Sequence, residues 1–410
     1  MKNSPFLLGC VADDFTGASD AASFLVNHGI PAMLFNGLPH DDSKLQDCAA
    51  VVIALKSRNA PAEEAVRDTL EAFEFLEKHG AKQFYIKYCS TFDSTPQGNI
   101  GPTIDTVMDK YNLPYTLLLP SLPVNKRTVK DGVLYVDGLP LGESHMKNHP
   151  LNPMWASALS ELMEPQGKYP CLVLSAEDMR KPKEEILSKA AGQRCYVVPD
   201  YEVNEDGDRI VEVFGGLKLL TGGSGILAHM AKCYKAEYGL EDATIVSSGC
   251  SGKGLAISGS CSEATKMQVH EYQKNGGPVL FVDPQNINAD AIWNFVQANN
   301  EPLIYSRRDS GTTDEKVSRA LEDVFSEIGR RAFKAGYTRF ILAGGETSGA
   351  VCLALNFDSF YIGESVAPGV PIMVPAKRTD IRLVLKSGNF GQREFFRHAF
   401  DETRAGGAGC

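Results

Sequence analysis

The sequence predicts an α/β fold with two domains, each built on a mainly parallel, doubly wound sheet. Short apolar runs alternate with segments of helical periodicity along most of the chain, as in strands joined by crossover helices. A length of 410 residues also favours at least two domains. A stretch dense in serine, glycine and cysteine at 247–262 separates the two alternating runs, as a hinge or loop would. The expected domains are 1–240 and 241–410.

The first predicted element is a buried strand at 6–12, which leads through a polar turn into a helix that closes at Gly29. Asp13 and Asp14 thus lie between the carboxyl end of a strand and the amino end of a helix, where open α/β sheets bind ligands. Two adjacent carboxylates there indicate a cation or a polyhydroxy ligand. The structural alternative is that Asp14 or Thr16 caps the helix and Gly17 eases the turn.

The rest of the N-terminal half continues the alternation. Residues 131–155, rich in Gly, Pro and His, are expected to form an irregular excursion from the sheet. The further predicted strands are 32–35, 49–55, 83–86, 115–119, 171–174, 196–198 and the start of 219–226, and the helices are 61–79, about 98–109, 183–191 and one ending near Tyr238.

Four predicted strands end in polar loops, which a doubly wound sheet would place along one edge. The loops carry Asp13 and Asp14; Lys56 and Arg58; Lys87 and Asp93; and Asn125, Lys126 and Arg127. Arg58 or Arg127 could hold a ligand carboxylate through a bidentate contact. The alternative for a single loop is a solvated turn with surface ion pairs, and for Arg58 it is a pair with Glu63 or Glu64.

In the C-terminal half, two glycine-rich turns follow predicted strands, at Gly344–Ala350 and Lys386–Gly391. Glycine lets a phosphate approach backbone N–H groups, and a following helix adds its positive dipole end. Two such turns on one sheet edge indicate a nucleotide phosphate site; the alternative is tight turns without a ligand. Ser251–Gly254 is not a P-loop, because Gly follows Lys253 and Ser247 occupies the leading glycine position.

Composition excludes several classes of function. A net charge of −10 argues against a nucleic-acid partner, and no apolar run approaches the length of a membrane span. The N-terminus does not resemble a secretory signal. The ten cysteines form no Cys-x-x-Cys pair, which indicates reduced thiols in a cytoplasmic protein and no zinc site. His145 and His149 are not expected to bind a metal, because flanking Gly and Pro disfavour a shared helix face.

Taken in order, these motifs resemble the four-carbon acid sugar kinase family from Val11 to about Phe396. Such an ordered set is far more specific than any single glycine motif. It comprises Asp13–Gly17 with Asp20, Ser57–Arg58, Lys87–Gly101, Gly222–Gly225, Gly259–Ser262, Gly344–Gly349, Pro368–Pro371 and Lys386–Gly391.

Within the family, Tyr88–Thr95 and His149–Leu151 with Pro153–Met154 look like the branch that acts on 3-oxo-tetronates. The chain departs from that branch at Lys126 (Gly there), Ser121–Leu122 (Ala-Phe) and Asn152 (Thr). These positions belong to the expected substrate loop. The resemblance therefore leaves threonate, erythronate or a branched 3-oxo sugar acid open as alternative substrates.

The resemblance implies a sugar-acid domain, a nucleotide domain and an active-site cleft between them. It implies ATP-dependent phosphorylation of a terminal hydroxyl, with Mg²⁺ held mostly by phosphate oxygens and water. Glu346 is a candidate ligand of the ion, and the alternatives are that it bonds the nucleotide or caps the next helix. The expected partner is a small sugar acid, without nucleic acid or membrane, and a homodimer stays open. Asp14, ahead of Asp93, is the candidate general base. The polar loops supply the candidate substrate residues Asp13, Thr16, Arg58, Lys87 and Arg127. The resemblance implies that the ATP contacts fall on Ser260, Ser262, Gly344, Gly345, Glu346, Thr347 and Gly388.

Two other classes of function share features of this sequence with a kinase. A dinucleotide-dependent sugar-acid dehydrogenase also needs glycine turns on a doubly wound sheet, but no Gly-x-Gly-x-x-Gly follows a strand with an acidic residue about 20 positions on. A non-catalytic sugar-acid sensor would not need both half-sites, and both are present in the sequence.

Overall fold

In this computed structural model the described residues are 6–39, 45, 48–149, 152–241, 243, 245–306 and 315–405, without the side chains of Glu315 and Glu346. The chain divides into two compact units, Met1–Ala243 and Thr244–Cys410. Each unit contains a mainly parallel sheet with helices between its strands. The mixed α/β class predicted from the alternation of elements is thereby confirmed.

The main sheet of the first unit holds five parallel strands in the order β11-β4-β1-β3-β2. Strand β1 pairs along its whole length with β3 on one side and β4 on the other, so Ala12 lies level with Ala54 and Lys87. The turns that follow these three strands are therefore neighbours. The strands are β1 (Leu8–Ala12), β2 (Ala32–Asn36), β3 (Ala50–Ala54), β4 (Gln83–Lys87) and β11 (Leu219–Gly222).

The fourth polar loop does not follow a strand of this sheet, contrary to the expectation that all four loops share one edge. Strand β5 (Tyr115–Leu117) belongs to a second, three-stranded parallel sheet with β9 (Cys171–Leu174) and β10 (Cys195–Pro199), in the order β5-β10-β9. Hydrogen bonds still hold β5 against β11, because the Thr116 hydroxyl donates to the Leu219 carbonyl at 2.9 Å. Only three loops are therefore neighbours in one sheet.

The segment 131–155 is only in part the irregular excursion that its composition suggested: residues 141–148 form two short 3-10 helices, whereas the residues before them form strands. Strands β6 (Arg127–Lys130), β7 (Val133–Val136) and β8 (Leu139–Pro140) form an antiparallel sheet in chain order. Two Asp-Gly turns join them, with φ of 49° and 76° at Asp131–Gly132 and 53° and 82° at Asp137–Gly138. Such left-handed pairs fit the twist of a hairpin, and Asp-Gly is a favoured sequence for them. The hairpin signal was present in the sequence and was missed.

The helices of the first unit pack in small groups against these strands. Helix α1 contacts β2, β3 and α8, whereas α2 contacts β1 and α3. Their bounds are α1 (Phe15–Asn27), α2 (Ala62–Lys78), α3 (Ile100–Lys110), α4 (Leu159–Met163), α5 (Ala176–Met179), α6 (Lys183–Ala190), α7 (Asp206–Phe214) and α8 (Gly225–Tyr238).

The sheet of the second unit has the strand order β16-β17-β18-β15-β12-β14-β13, in which β17 alone runs against its neighbours. Strand β12 lies inside the stretch expected to be a hinge or loop, and Leu255, Ala256 and Ile257 are fully buried. That expectation was wrong, because a parallel strand buried on both faces needs no polar alternation and tolerates small residues. The strands are β12 (Lys253–Ser258), β13 (Val279–Phe281), β14 (Leu303–Tyr305), β15 (Tyr337–Ala343), β16 (Ser359–Ala367), β17 (Val370–Pro375) and β18 (Arg382–Lys386).

Five helices of the second unit lie between or after its strands: α9 (Glu263–Lys274), α10 (Ala289–Ala298), α11 (Glu315–Lys334), α12 (Gly345–Ala354) and α13 (Phe395–Glu402). Strands β15 and β18 are paired neighbours, and the turns after both are glycine-rich. No helix in the described part of the chain is long and apolar enough to span a membrane.

Candidate active site

The turn after β1 is the point on which the loops of three strands converge. The backbone carbonyl of Asp13 accepts hydrogen bonds from the Ser57 and Arg58 amides at 3.0 and 3.1 Å, and the Asp13 amide donates to the Lys87 carbonyl at 3.0 Å. The side chain of Asn99 donates to the carbonyls of Ser57 and Ala60 at 2.7 and 2.9 Å. The main chain thereby fixes the loops after β3 and β4 around the Asp13 turn.

A compact group of charged side chains lies over this turn. The Arg58 guanidinium donates through Nε and Nη2 to the two carboxylate oxygens of Asp13, at 2.9 and 2.8 Å. Its Nη2 also lies 2.9 Å from Oδ1 of Asp14. The pairing of Arg58 with Glu63 or Glu64, considered from the sequence, is thus replaced by a pairing with two carboxylates. The fork of Arg58 that would clamp a ligand carboxylate holds Asp13 instead.

Asp14 has the capping role that its position suggested, together with a perturbed charge. Its Oδ1 accepts the Gly17 amide at 2.6 Å at the N-terminus of α1. Burial raises the pKa of Asp14, while the Arg58 guanidinium opposes that rise and the Asp13 carboxylate adds to it. Capping and a functional role are therefore compatible, because a raised pKa makes this carboxylate a stronger proton acceptor than an ordinary aspartate.

Behind the turn lies a second buried ion pair, between Lys87 and Asp20. Lys87 Nζ lies 3.8 Å from Oδ2 of Asp20, and the side chains are 3% and 6% exposed. Oδ2 also accepts the Ser224 hydroxyl at 2.6 Å, whereas Oδ1 is buried with no partner among the described residues. Burial raises the pKa of Asp20 to about 6, although Lys87 and Ser224 oppose the rise.

Gly17 lets the main chain lie close to these charges. A Cβ atom on Gly17 would lie 2.5 Å from Oδ1 of Asp14, 3.3 Å from Nζ of Lys87 and 3.6 Å from Nη2 of Arg58. A side chain there would collide with the Asp14 carboxylate. Thr16, the adjacent predicted substrate residue, is buried, and its hydroxyl has no partner in the part of the chain that the structure describes.

Asp93 belongs to a neighbouring polar group and not to the Asp13 cluster itself. Its Oδ1 accepts the Asn152 side-chain amide at 2.8 Å, and the same amide donates to Oδ1 of Asn59 at 3.1 Å. Nδ1 of His149 lies 3.7 Å from that Asp93 oxygen. Because Asn59 follows Arg58 directly, this group adjoins the cluster. Pro150 and Leu151, two residues of the resembling motif, lie outside the described residues.

Arg127 is a buried cation, 5% exposed, at the start of β6. A nitrogen of its guanidinium donates to the Asn125 carbonyl, whereas Nε has no hydrogen-bond partner among the described residues. Burial lowers its pKa, and the charges of Asp137, Cys89 and Asp20 act against that effect. Arg127 is thus within electrostatic reach of the Lys87–Asp20 pair, although its loop follows a strand of a different sheet.

The structure therefore brings together Asp13, Asp14, Arg58 and Lys87 by direct contact, with Asp93 and Arg127 beside them. Sequence reasoning missed the contribution of Asp20 as a buried acid, and it placed Asn152 in the expected substrate loop without identifying its partner. Asp20 was part of the recognised N-terminal motif, one helical turn beyond Thr16, so its placement on the same side of α1 was predictable. The pairing of Asn152 with Asp93 could not be predicted, because the two residues lie 59 positions apart in the chain.

The second unit holds a different cluster, made of hydroxyl groups around the turn after β18. The Ser262 hydroxyl donates to the Gly388 carbonyl, and the Thr265 hydroxyl lies 2.9 Å from the same carbonyl and 3.0 Å from the Ser260 hydroxyl. Ser262 also caps α9 by accepting the Thr265 amide at 3.1 Å. Two of the predicted nucleotide residues, Ser260 and Ser262, thus meet a third, Gly388.

Glycine is required at two points of this cluster. Gly344 has φ of 106°, and a Cβ there would lie 3.1 Å from the Ser260 amide nitrogen. A Cβ on Gly388 would lie 2.9 Å from the Ser260 hydroxyl. Gly345 opens α12, whose first turn includes Thr347, and the Thr347 side chain packs against Gly259. The side chain of Glu346 lies outside the described residues.

Lys386 ends β18 directly beneath this turn and was not among the predicted site residues. Its Nζ donates to Oγ1 of Thr265 at 2.9 Å and to the Ser387 and Gly388 carbonyls at 3.0 and 2.8 Å. The residue is completely buried, and burial lowers its pKa to about 7. Among the described residues no group of three His, Cys, Asp or Glu side chains could hold a metal ion.

Comparison with known protein families assigns these two clusters to two domains. A family model described as a sugar-binding N-terminal domain matches residues 8–230, and one described as a nucleotide-binding C-terminal domain matches residues 255–396. The chain belongs to the four-carbon acid sugar kinase family. The charged cluster thus lies within the sugar-binding match, and the hydroxyl cluster lies within the nucleotide-binding match.

Members of this kinase family with curated names resemble the chain along nearly its whole length. A 3-oxo-tetronate kinase of Actinobacillus succinogenes is 40% identical over 96% of this chain and 99% of its own length. A 3-oxo-tetronate kinase of Escherichia coli K12 is 37% identical over 88% and 98%. A solved structure from Salmonella typhimurium LT2 matches with a TM-score of 0.85 and 36% identity, covering 97% of this chain and 100% of that one. The chain is accordingly a nucleotide-dependent kinase.

Proposed function

We propose that this kinase transfers the γ-phosphoryl group of ATP to the terminal hydroxyl of 3-oxo-tetronate, giving 3-oxo-tetronate 4-phosphate. The single observation that carries the proposal is the cluster of Asp13, Asp14, Arg58 and Lys87 inside the sugar-binding match. Carboxylates can accept the hydroxyls of a sugar acid, while cations can receive its carboxylate. The names of the relatives support this substrate.

The substrate carboxylate is received by Arg127 and Lys87, with Arg58 acting through Asp13. Arg58 already holds both Asp13 oxygens, so a bidentate contact with the ligand through the same nitrogens would have to displace that carboxylate. Arg127 has a buried Nε with no described partner, and a buried polar donor is costly unless a ligand satisfies it. Lys87 Nζ lies 3.3 Å from the position that a Cβ on Gly17 would take. Asp13 and Thr16 remain the candidates for binding the hydroxyl groups.

Asp14 is the proposed general base, with Asp93 as the alternative. Phosphoryl transfer needs a group that accepts the proton of the attacking hydroxyl, and a carboxylate with a raised pKa accepts it more readily. Burial gives Asp14 that property. Asp93 is held by Asn152 and lies close to His149, an arrangement that suits the orientation of a substrate hydroxyl.

The nucleotide is proposed to bind through Ser260, Ser262, the Gly344–Thr347 turn and Gly388. Gly344 and Gly388 lie close to Ser260, and a side chain at either glycine would crowd this point. Without side chains there, phosphate oxygens can approach the backbone N–H groups. Mg²⁺ bound to those phosphates would neutralise the charge that develops during transfer. The described residues offer no three-ligand metal site, so this ion would be held by phosphate oxygens and water, with Glu346 as a candidate ligand.

A coupled ADP-release assay tests the proposal. The acceptors are 3-oxo-tetronates, D- and L-threonate, D-erythronate and a branched 3-oxo sugar acid, each assayed with and without Mg²⁺. We expect the highest specificity constant with a 3-oxo-tetronate. A preference for threonate or erythronate would identify another four-carbon sugar acid as the substrate. The absence of ADP release with every acceptor would contradict the proposal. Asp14→Asn should lower kcat with little change in KM, with Asp68→Asn on α2 as the matched control.

A further inference from the structure

Lys386 is a buried lysine for which the nucleotide assignment gives no role. Its three hydrogen-bond acceptors are a hydroxyl and two main-chain carbonyls, all neutral. The nearest ring is Phe395, 5.7 Å from Nζ. No carboxylate in the described part of the chain forms an ion pair with it. A fully buried ammonium without a counter-charge is costly, and proteins seldom keep one without a function.

The hydrogen bonds of Lys386 determine the direction of two peptide units in the glycine-rich turn. In a planar trans peptide the C=O and N–H bonds point in opposite directions. Because Nζ holds the carbonyls of Ser387 and Gly388, the amide N–H groups of Gly388 and Asn389 point away from the lysine. A turn that presents successive N–H groups on one side is an arrangement that binds anions.

We propose that Lys386 is a positioning residue that holds the 386–391 turn in its nucleotide-binding form, and that the nucleotide phosphates supply the missing counter-charge. This inference rests on the proposed nucleotide site at Gly388. It adds a cation beneath the turn to the hydroxyl groups and glycines above it. Thr265 shares the role, because its hydroxyl contacts both Nζ and the Gly388 carbonyl.

The surroundings of Nζ connect nucleotide binding to protonation. Burial lowers the pKa of Lys386 to about 7, and bound phosphates would raise it again by stabilising the ammonium form. Several charged groups on the neighbouring elements form contacts with residues other than Lys386. On α9, Lys266 pairs with Glu263, and Glu271 pairs with Arg393, which precedes α13. On β15, Arg339 pairs with Glu301. Arg382 of β18 donates to main-chain carbonyls. Glu346 of α12 also lies on a neighbouring element, and its side chain is not described.

Titration calorimetry with Mg-ADP tests the inference in the full-length protein. At pH 7.5, titrations in buffers of different ionisation enthalpy should show that the wild-type protein takes up a fraction of a proton when Mg-ADP binds. Lys386→Met should lose that uptake and bind Mg-ADP about 10- to 100-fold more weakly, the effect of losing charge-assisted hydrogen bonds. Its KM for ATP should rise far more than its KM for the sugar acid. Lys253→Met is the control, since Lys253 is the exposed first residue of β12.

The outcomes separate this inference from the proposed function. Wild-type affinity for Mg-ADP in folded Lys386→Met, or persistent proton uptake, would overturn the role of Lys386. Loss of uptake in Glu346→Gln would assign the counter-charge to that carboxylate and overturn it too. If Gly388→Ala also binds Mg-ADP normally, the nucleotide site itself is wrongly placed. Should Lys386→Met not fold, Thr265→Val retains the lysine and must still weaken Mg-ADP binding.

Discussion

Arg127→Met should raise the free energy of unfolding, whereas Arg58→Met should lower it. Both substitutions should impair the reaction. Arg127 is buried with Nε unpartnered among the described residues, so its loss leaves no carboxylate behind. Arg58 holds Asp13 and approaches Asp14, so its loss leaves two partly buried carboxylates side by side without their cation. Only the second change breaks an ion pair that the folded protein relies on.

The expected magnitudes follow from these contacts. Loss of a charge-assisted bidentate contact costs about 2–4 kcal/mol, so Arg127→Met should lower kcat/KM for the sugar acid by about 30- to 1000-fold. Removing one partner of a buried ion pair costs about 3–5 kcal/mol. The Arg58 side chain is 20% exposed and those of Asp13 and Asp14 are 14% and 21% exposed, which reduces the expected loss for Arg58→Met to about 2–3 kcal/mol.

The assays are steady-state kinetics with varied sugar acid at saturating ATP, and denaturant unfolding of each variant without ligands. Arg67→Met is the control, since Arg67 is exposed on α2 and pairs only with the adjacent Asp68 in the described structure. Arg127→Lys retains the charge but not the planar fork, and should recover little activity. Normal sugar-acid kinetics in Arg127→Met, together with lost stability, would refute the role of Arg127. Arg58 would then be the candidate that binds the substrate carboxylate.

Three further predictions concern single residues. The stability of Asp20→Asn relative to wild type should be higher at pH 7.5 than at pH 4, because protonated Asp20 stabilises the fold below its ordinary pKa of 3.8 and this contribution is lost from wild type as the pH rises through about 6; equal differences in melting temperature at both pH values would contradict it. Gly388→Ala should raise the KM for ATP at least tenfold, since its Cβ would lie 2.9 Å from the Ser260 hydroxyl; an unchanged KM in a folded variant would count against the site. Asn152→Thr removes the amide that donates to Asp93 and Asn59, and should change the KM for the sugar acid about 3- to 10-fold; a change in the KM for ATP alone would exclude Asn152 from the sugar-acid site.

The parts of the fold that local pattern could predict are those in which each strand is followed by its own helix. The strands at 8–12, 50–54 and 83–87 and the helix at 62–78 agree with their predicted ranges to within a few residues. Their apolar runs and flanking Gly and Pro residues are local signals. The placement of Tyr115–Leu117 in a separate sheet is not local, because it depends on pairing with Cys195–Pro199, about 80 residues later. Strand order of this kind is set by packing and not by periodicity.

The candidate site divides in the same way. Asp13, Asp14, Arg58 and Lys87 follow adjacent strands, so their convergence could be inferred from the topology that the alternation predicts. The sequence could not indicate that the Arg58 guanidinium forms a bidentate pair with Asp13, because side-chain pairing depends on the conformation of the loops. Lys386 was also beyond prediction, since a lysine at the end of a strand is usually solvated, and its complete burial arises from α9 and the turn that follows it.

The two clusters compensate buried charge in opposite ways, and this difference has a functional consequence. In the first unit, Arg58 and Lys87 have carboxylate partners, so the group is held together before any ligand binds. In the second unit, Lys386 is surrounded by neutral oxygens, and the described structure supplies no anion for it. An acidic partner for Lys386 would stabilise the fold but would also repel phosphate. The unpaired lysine therefore lowers the stability of the free protein while it favours an anionic ligand. Substitutions of Arg58 should reduce activity and stability together, whereas substitution of Lys386 should reduce nucleotide binding and leave stability unchanged or higher.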